Sequence, residues 1–449
     1  MPDTSRTMSH LFYQNGNARP VLDRAEGIHM WDTTGRRFID GSSGAMVCNI
    51  GHSNPAVLAA MRAQMERSTF GYRLHFVTEA SEALAKRTSA LAWPGMERVF
   101  FVSGGSEAVE TAMKLARAHA VATGQESRWK VISRWPSYHG CTLGALAVTG
   151  YDALTDPYAP MMRAMPKVPA PRAWLDGLDP DDPATGAHYA AMLEAAIVAE
   201  GPESVLAFLV EPVGGASTGA LVPPRGYMEA VREICTRHGV LLIHDEVMTG
   251  GGRTGRFLGG QHWDAPPDIL ALSKGFGAGY VPLGAVVART DIVEAVMGSG
   301  GFGHGFTYAG NPLACAAGLA VLDEIERLDL IGNAARVGDH LKAGLEGLMD
   351  RFEVIGDVRG KGLLLALELV ADRESRAPLP PDLKAHERLA EAAYGRGLIV
   401  YPRRSRGGYS GDHILVAPPM ITTPAQADEI VGLLGEALED LTGQIGSHS

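Results

Sequence analysis

Long apolar runs are missing from this chain. Nowhere in its 449 residues do about 18 uncharged apolar residues follow one another, which argues against a membrane-crossing helix. Positive charge is also short: Lys and Arg total 40 against 51 Asp and Glu, a formal net charge of −11. That sign argues against nucleic acid or an anionic membrane surface as a partner. Cysteine is sparse. Cys48, Cys141, Cys235 and Cys315 lie at least 80 residues apart, and no CxxC or HExxH spacing occurs. The usual zinc signatures are therefore absent, so no metal is expected, and four buried free thiols in a reducing compartment are. Residues 1–17 lack the apolar core of a signal peptide, so the expected location is the cytoplasm.

What is present is an alternation. Strand-like runs fall at Arg98–Val102, Lys130–Ser133, Leu206–Glu211, Val240–Asp245, Ile269–Ser273 and Ala285–Ala288. Helical stretches separate most of them, Glu107–Ala122 and Gly226–His238 being clear cases. That pattern predicts an α/β fold with a mostly parallel sheet covered by helices on both faces. Before it come a polar arm over residues 1–20, a hairpin from Gly27 to Asp40, and a helix opened by Asn54-Pro55. Residues 151–185, rich in proline and methionine, read as a long loop. After the helix Leu313–Leu328 the character changes to a smaller α+β unit, in which Arg403–Gly408 reads as a basic, flexible loop. The expected division is 1–60 as arm and part of the small domain, 61–328 as the large domain, and 329–449 as the C-terminal small domain.

Two strand ends carry the chemistry. The run Val240–Ile243 ends in His244-Asp245-Glu246, which delivers a carboxylate where open α/β sheets bind their ligands. Asp268–Leu272 ends in Ser273-Lys274-Gly275. A buried acid and a lysine placed so suit a pyridoxal phosphate (PLP) enzyme: the lysine holds the cofactor as a Schiff base, and the acid keeps the pyridine nitrogen protonated. Lysine is scarce, at eight residues, and Lys274 alone ends a sheet strand beside glycines. Such a site desolvates the amine and lowers its pKa. Ser103-Gly104-Gly105-Ser106 lies between a strand and a helix N-terminus, which suits one phosphate; a plain capped turn fits equally well. Tyr138-His139 offers a flat face for a ring, or ordinary loop packing. Gly250–Gly255 matches GxGxxG after a strand, the basis for an NAD-dependent oxidoreductase as a rival. No helix start follows it, so a structural loop is favoured.

Together these residues resemble the class III (omega) aminotransferases, PLP-dependent transferases of fold type I. The resemblance runs from about Asp32 to Pro418. It includes Gly51-His52, Ser103–Ala108, Tyr138-His139-Gly140, Glu211-Pro212-Val213, His244–Val247, Gly252–Gly255, Ser273-Lys274-Gly275 and Thr307-Tyr308. It implies a large domain with a mostly parallel seven-stranded sheet plus a smaller α+β domain. It further implies Lys274 as Schiff-base lysine and proton carrier, and Asp245 on the pyridine nitrogen. Val247 and Tyr138 pack on the ring, with His139 beside it, and Gly105 and Ser106 hold the phosphate. Thr307 reaches the phosphate of a neighbouring subunit, which makes a homodimer (or a dimer of dimers) the expected assembly. Glu211 lies near the cofactor and in many members pairs with a mobile arginine for the substrate carboxylate; Arg403, Arg404 and Arg406 are the candidates. Three departures bear on specificity. One serine of the phosphate cup is replaced by glycine, Gly214 stands where glutamine is common, and Met46 stands where several amine-active relatives carry a large aromatic. The implied reaction moves an amino group from an ω-amino acid or primary amine to a keto acid such as pyruvate. A PLP-dependent aminomutase or a decarboxylating transaminase would share every cofactor residue.

Overall fold

The structure is a computed structural model that describes residues 10–11 and 19–446. The arm expected over residues 1–20 lies almost wholly outside the described residues. At the centre is a seven-stranded sheet. Its spatial order is Arg98–Val102, Gly284–Ala288, Ile269–Leu272, Leu241–Asp245, Val205–Val210, Lys130–Trp135, Lys167–Pro169. Gly284–Ala288 runs antiparallel to both its neighbours, and the other pairings are parallel. The three central parallel strands are apolar along almost their whole length because helices cover both faces. The helix Gly105–Ala122 packs on the sheet through small residues, Ala108, Ala112, Ala116 and Ala120. On the other face Pro183–Glu200 and Tyr227–His238 bury Tyr189, Leu193, Tyr227 and Val231.

Six of the seven strands coincide with the apolar runs to within about two residues. The seventh corrects the reading of 151–185 as loop. That segment holds short helices at Asp152–Thr155 and Ala173–Asp176 and the edge strand Lys167–Pro169. A strand of three residues is too short to show a period of two, and Pro169, which lacks an amide hydrogen, is tolerated only at an edge.

Two further sheets flank the central one. Leu22–Glu26, His29–Asp32 and Arg37–Asp40 form the expected hairpin region, joined in parallel by Leu398–Ile399 from the far end of the chain. The other sheet orders Ile355–Lys361, Leu364–Asp372, Ser410–Val416 and Tyr401–Arg406. Here the flexible loop expected at Arg403–Gly408 is instead a strand and its turn. Ser405 points inward and donates to Glu368 Oε1 at 2.9 Å, so its inward face is polar and hid the alternation. The apolar core is continuous from Leu270 and Leu272 of the central sheet to Leu345, Leu365 and Ile414.

Helix starts follow their caps. Asn54 Oδ1 accepts from the amides of Ala56 (2.9 Å) and Val57 (3.3 Å), with Pro55 in the first turn. Asn311 caps Pro312–Arg327 in the same way through Ala314 N at 3.0 Å. Among the described residues no helix is long and apolar enough to cross a membrane. Of the four thiols, Cys235 and Cys315 are buried. Cys48 is half-buried and Cys141 exposed, which corrects the expectation for those two. Both sit on tight loops whose turning backbone cannot bury every side chain.

The flanking helix Leu330–Arg351 is held close by Gly338, where a Cβ would lie 2.3 Å from the carbonyl carbon of Gly362. A Gly338→Ala substitution is expected to gain about 1 kcal/mol of helix propensity and lose more, about 1–3 kcal/mol, to overpacking. Thermal unfolding checks this: the midpoint should fall, and a rise would show that the contact relaxes freely.

Candidate active site

The C-terminal ends of the parallel strands, the start of the helix Gly105–Ala122 and the turn after Ile269–Leu272 converge on one cavity of about 160 Å³. Its lining includes Gly105, Ser106, Tyr138, His139, Glu211, Asp245, Val247 and Lys274. These residues come from five separate stretches of chain, and only the sheet brings them together.

Asp245 ends its strand and is 4% exposed. Its Oδ2 lies 2.8 Å from His139 Nδ1, and its Oδ1 accepts the amide of Val247 at 3.0 Å. A carboxylate withdrawn from water needs such partners. The other ring nitrogen of His139, Nε2, is buried with no partner among the described residues. Glu211 ends the neighbouring strand region and is buried. Its Oε1 accepts from Gly215 N at 2.9 Å, while Oε2 is left without a hydrogen bond, 3.8 Å from the Arg134 guanidinium. Burial raises the Glu211 pKa, against the opposing pull of His139 and Arg134.

Lys274 takes the left-handed backbone conformation (φ 47°) in the short turn Lys274–Phe276. Burial lowers its pKa to about 8, although Asp245 and Glu211 both favour its charged form. The loss of hydration therefore outweighs the attraction of two acids. The deprotonated, nucleophilic amine is thus far more populated near neutral pH than in an ordinary lysine, though still the minority form.

On the other side, Gly104 gives the helix Gly105–Ala122 no side-chain cap, and the first amide to find a helical carbonyl is that of Ala108. The amides of Gly105, Ser106 and Glu107 precede it and have no carbonyl within the helix to meet, which leaves an anion seat. Glycine is required at 105: a Cβ there would meet Val247 Cγ1 at 2.9 Å. Ser106 Oγ accepts from Cys141 N at 3.0 Å and keeps its own proton to donate. Tyr138 stands on the rim, 37% exposed, and burial raises its phenol pKa.

This arrangement fits a flat, anionic, aldehyde-bearing group. The helix amides and Ser106 suit a phosphate, Asp245 a protonated ring nitrogen, Val247 and Tyr138 a ring, and Lys274 a carbonyl carbon. The orphaned His139 Nε2 and Glu211 Oε2 are polar atoms that such a group would satisfy.

The family model for class-III aminotransferases matches residues 12–438. The chain is a class III aminotransferase. Among its relatives, an uncharacterised aminotransferase of Bacillus subtilis is 38% identical, over 94% of this chain and 95% of its own. The crystal structure of a thermostable (S)-enantioselective omega-transaminase from Thermomicrobium roseum superposes with a TM-score of 0.90 at 37% identity, covering 96% of each chain. An omega-transaminase from Pseudomonas jessenii, solved in complex with PMP, superposes at 0.89 with 32% identity, over 95% of this chain and 94% of its own. The fold is the PLP fold type I of this family, whose members are PLP-dependent.

The remaining sequence candidates sit as follows. Arg403 is exposed; it donates to the Tyr401 hydroxyl at 2.8 Å and stacks on that ring at 4.8 Å. Its charge acts on both Lys274 and Tyr138, although it is not among the residues that line this cavity. Arg404 is committed elsewhere, to Asp412 Oδ1 at 2.7 Å and to the carbonyls of Tyr409 and Pro381. Arg406 donates to the Arg376 carbonyl at 3.3 Å. The register explains the split: alternate residues of Tyr401–Arg406 face opposite sides of the sheet. Met46 is 1% exposed and packs with Val213, Leu364 and Leu415, one layer behind the cavity wall that Val213 forms. Thr307 is exposed in a turn and does not line this chain's cavity.

The oxidoreductase alternative is overturned. Gly250–Gly255 is a run of turns with left-handed glycines at 251, 252 and 255, and no helix opens from it. Its arginine has a structural task. Arg253, fully buried, donates to the carbonyls of Leu363, Ala417 and Pro418, to Ser43 Oγ and to Asn49 Oδ1. Sequence reasoning also missed Arg134 and Met248; the first is hidden by its charge and the second by its plainness.

If the Lys274 pKa is about 8, the amine's capture of PLP by the cofactor-free protein should quicken about tenfold per pH unit up to that value and then level off. Absorbance on mixing, with borohydride trapping and peptide mapping of Lys274, checks this. A rate still climbing steeply at pH 10 would show an ordinary lysine.

Proposed function

We propose that this chain uses PLP, held by Lys274 in the cavity described above, to move an amino group from an ω-amino acid or primary amine to a small keto acid such as pyruvate. The observation that carries it is Lys274 and Asp245 lining one cavity with the uncapped start of the helix Gly105–Ala122. When bound, PLP supplies an electron sink conjugated to the substrate carbon. The chain's own residues do the rest. Lys274 would hold the cofactor's carbonyl carbon, and its free amine would carry a proton to and from the substrate carbon that bears the amino group. His139 holds Asp245 by its Oδ2 and so fixes the carboxylate that keeps the ring nitrogen protonated. The helix amides and Ser106 anchor the phosphate, and Val247 and Tyr138 keep the ring plane in place.

Arg403 is the substrate-carboxylate residue we favour among the three arginines. Its partner is a single phenol hydroxyl, a far weaker tie than the Asp412 ion pair of Arg404. A carboxylate at the cavity mouth can draw it away, and an amine without one leaves it on Tyr401. The assembly we propose is a homodimer in which Thr307 of one chain completes the phosphate seat of its partner. The exposed apolar residues Phe70, Leu74, Phe76, Val77 and Tyr308 support it, with Phe70 and Tyr308 in ring contact at 6.0 Å. Free thiols at all four cysteines accord with a cytoplasmic location.

Lys274→Ala is expected to abolish the visible absorbance of bound PLP and to slow amino transfer by about 10³-fold or more. Full transamination in that variant would sink the reading. Product analysis separates the alternatives: an aminomutase consumes no keto acid, and a decarboxylating transaminase consumes one per turnover but releases CO2 from the donor. Arg403→Leu is expected to raise the KM for the keto acid about 10–100-fold with little change for a primary amine. An equal effect on both substrates would remove Arg403 from carboxylate recognition.

A further inference from the structure

We propose that Asp40, Cys48 and His52 form a binding site for a soft divalent cation of the Zn²⁺ class, three protein ligands with the fourth position left to water. The ligand atoms of these three side chains all lie within 4.8 Å of one another, the one such group of three among the described residues. His52 Nε2 is 2.9 Å from Asp40 Oδ2. Donors around a tetrahedral zinc lie about 3.4–3.8 Å apart, given bond lengths of about 2.0–2.3 Å. The His52–Asp40 pair at 2.9 Å would open by roughly 0.5 Å to reach that range.

Each donor stands on fixed backbone. Asp40 ends a strand, and its Oδ1 is occupied by the amides of Gly44 (3.1 Å) and Ser42 (3.3 Å), which leaves Oδ2 facing His52. Cys48 closes a tight loop that turns through left-handed Ser43, Gly44 and Met46, with Cys48 N on Ser43 O at 3.2 Å and Gly51 N on Cys48 O at 3.0 Å. His52 is pinned to Gly27 by two backbone hydrogen bonds, 3.2 and 2.9 Å. Such rigid supports hold ligands in place before the ion arrives. Thiol, imidazole and carboxylate in one site select zinc over the hard cations Mg²⁺ and Ca²⁺. Asp40 is buried, while Cys48 and His52 are partly open to solvent, which gives an entry path. Binding releases the protons of the Cys48 thiol and of His52 Nε2 in exchange for the cation.

The site lies under the lysine turn. A Cβ at Gly279 would be 3.2 Å from Cys48 Sγ, and one at Gly275 would strike the Asn49 amide. Asn49 in turn donates to Gly251 O at 3.1 Å. A cation held by Cys48 therefore braces the segment on which Lys274 rests.

The test uses the PLP-loaded enzyme, stripped of metal by a chelator and then titrated with ZnCl₂. One Zn²⁺ per chain should bind with Mg²⁺ present in excess, and Cys48→Ser should weaken binding about a hundredfold. On the unaltered enzyme, Zn²⁺ should slow alkylation of Cys48 while exposed Cys141 reacts as before, read by peptide mass mapping. The proposal is overturned if Cys48 alkylates equally fast with and without Zn²⁺, or if Cys48→Ser binds as the parent does.

Discussion

Taking charge out of water at the end of an apolar sheet is the constraint on which this structure turns. The central strands are hydrophobic along their lengths and then present Asp245, Glu211 and, one turn on, Lys274. Each such group is costly without partners. Asp245 is answered by His139 and the Val247 amide, Glu211 by Gly215 and the nearby Arg134. Lys274 is answered less, and its proton is loosened as a result. His139 Nε2 and Glu211 Oε2, both left unsatisfied, belong to residues that line the cavity.

The same economy of buried charge fixes the surroundings. Arg253 fills its cavity in the fold with five acceptors drawn from three distant stretches. It joins the loop around Asn49, the glycine turns after the Asp245 strand, and the chain near Ala417. Glu368 holds Arg359 and Ser405 beneath the strand that carries Arg403. Adjacent residues on that strand then do opposite things. Arg404 is locked by Asp412 and Arg403 is left on a phenol. A glycine-rich motif that could have cradled a dinucleotide is instead a set of left-handed turns around a structural arginine.

Much of this was legible in order along the chain. The apolar runs marked six of seven strands, the Asn54-Pro55 pair marked a helix start, and the scarcity of lysine singled out Lys274. Local rules sufficed because each signal was confined to one element. The reading failed where the signal was too short or masked by polarity. Lys167–Pro169 is too brief to show alternation, and Tyr401–Arg406 buries a serine on an ionic network rather than an apolar side chain. Met46 could be matched to a position but not to a depth, and the structure sets it behind Val213.

By itself, then, the sequence determined most of the elements, the sheet type and the candidate reactive groups, because periodicity and residue chemistry are local properties. Only the tertiary structure decided which groups meet. His139 is 106 residues from Asp245, and Arg403 belongs to a different sheet from the strand that leads to Lys274. Asp40, Cys48 and His52, with no recognised spacing between them, converge because a strand end, a left-handed loop and a two-bond bridge to Gly27 point their donors at one place. Such meetings depend on register and packing across hundreds of residues, and no local pattern encodes them.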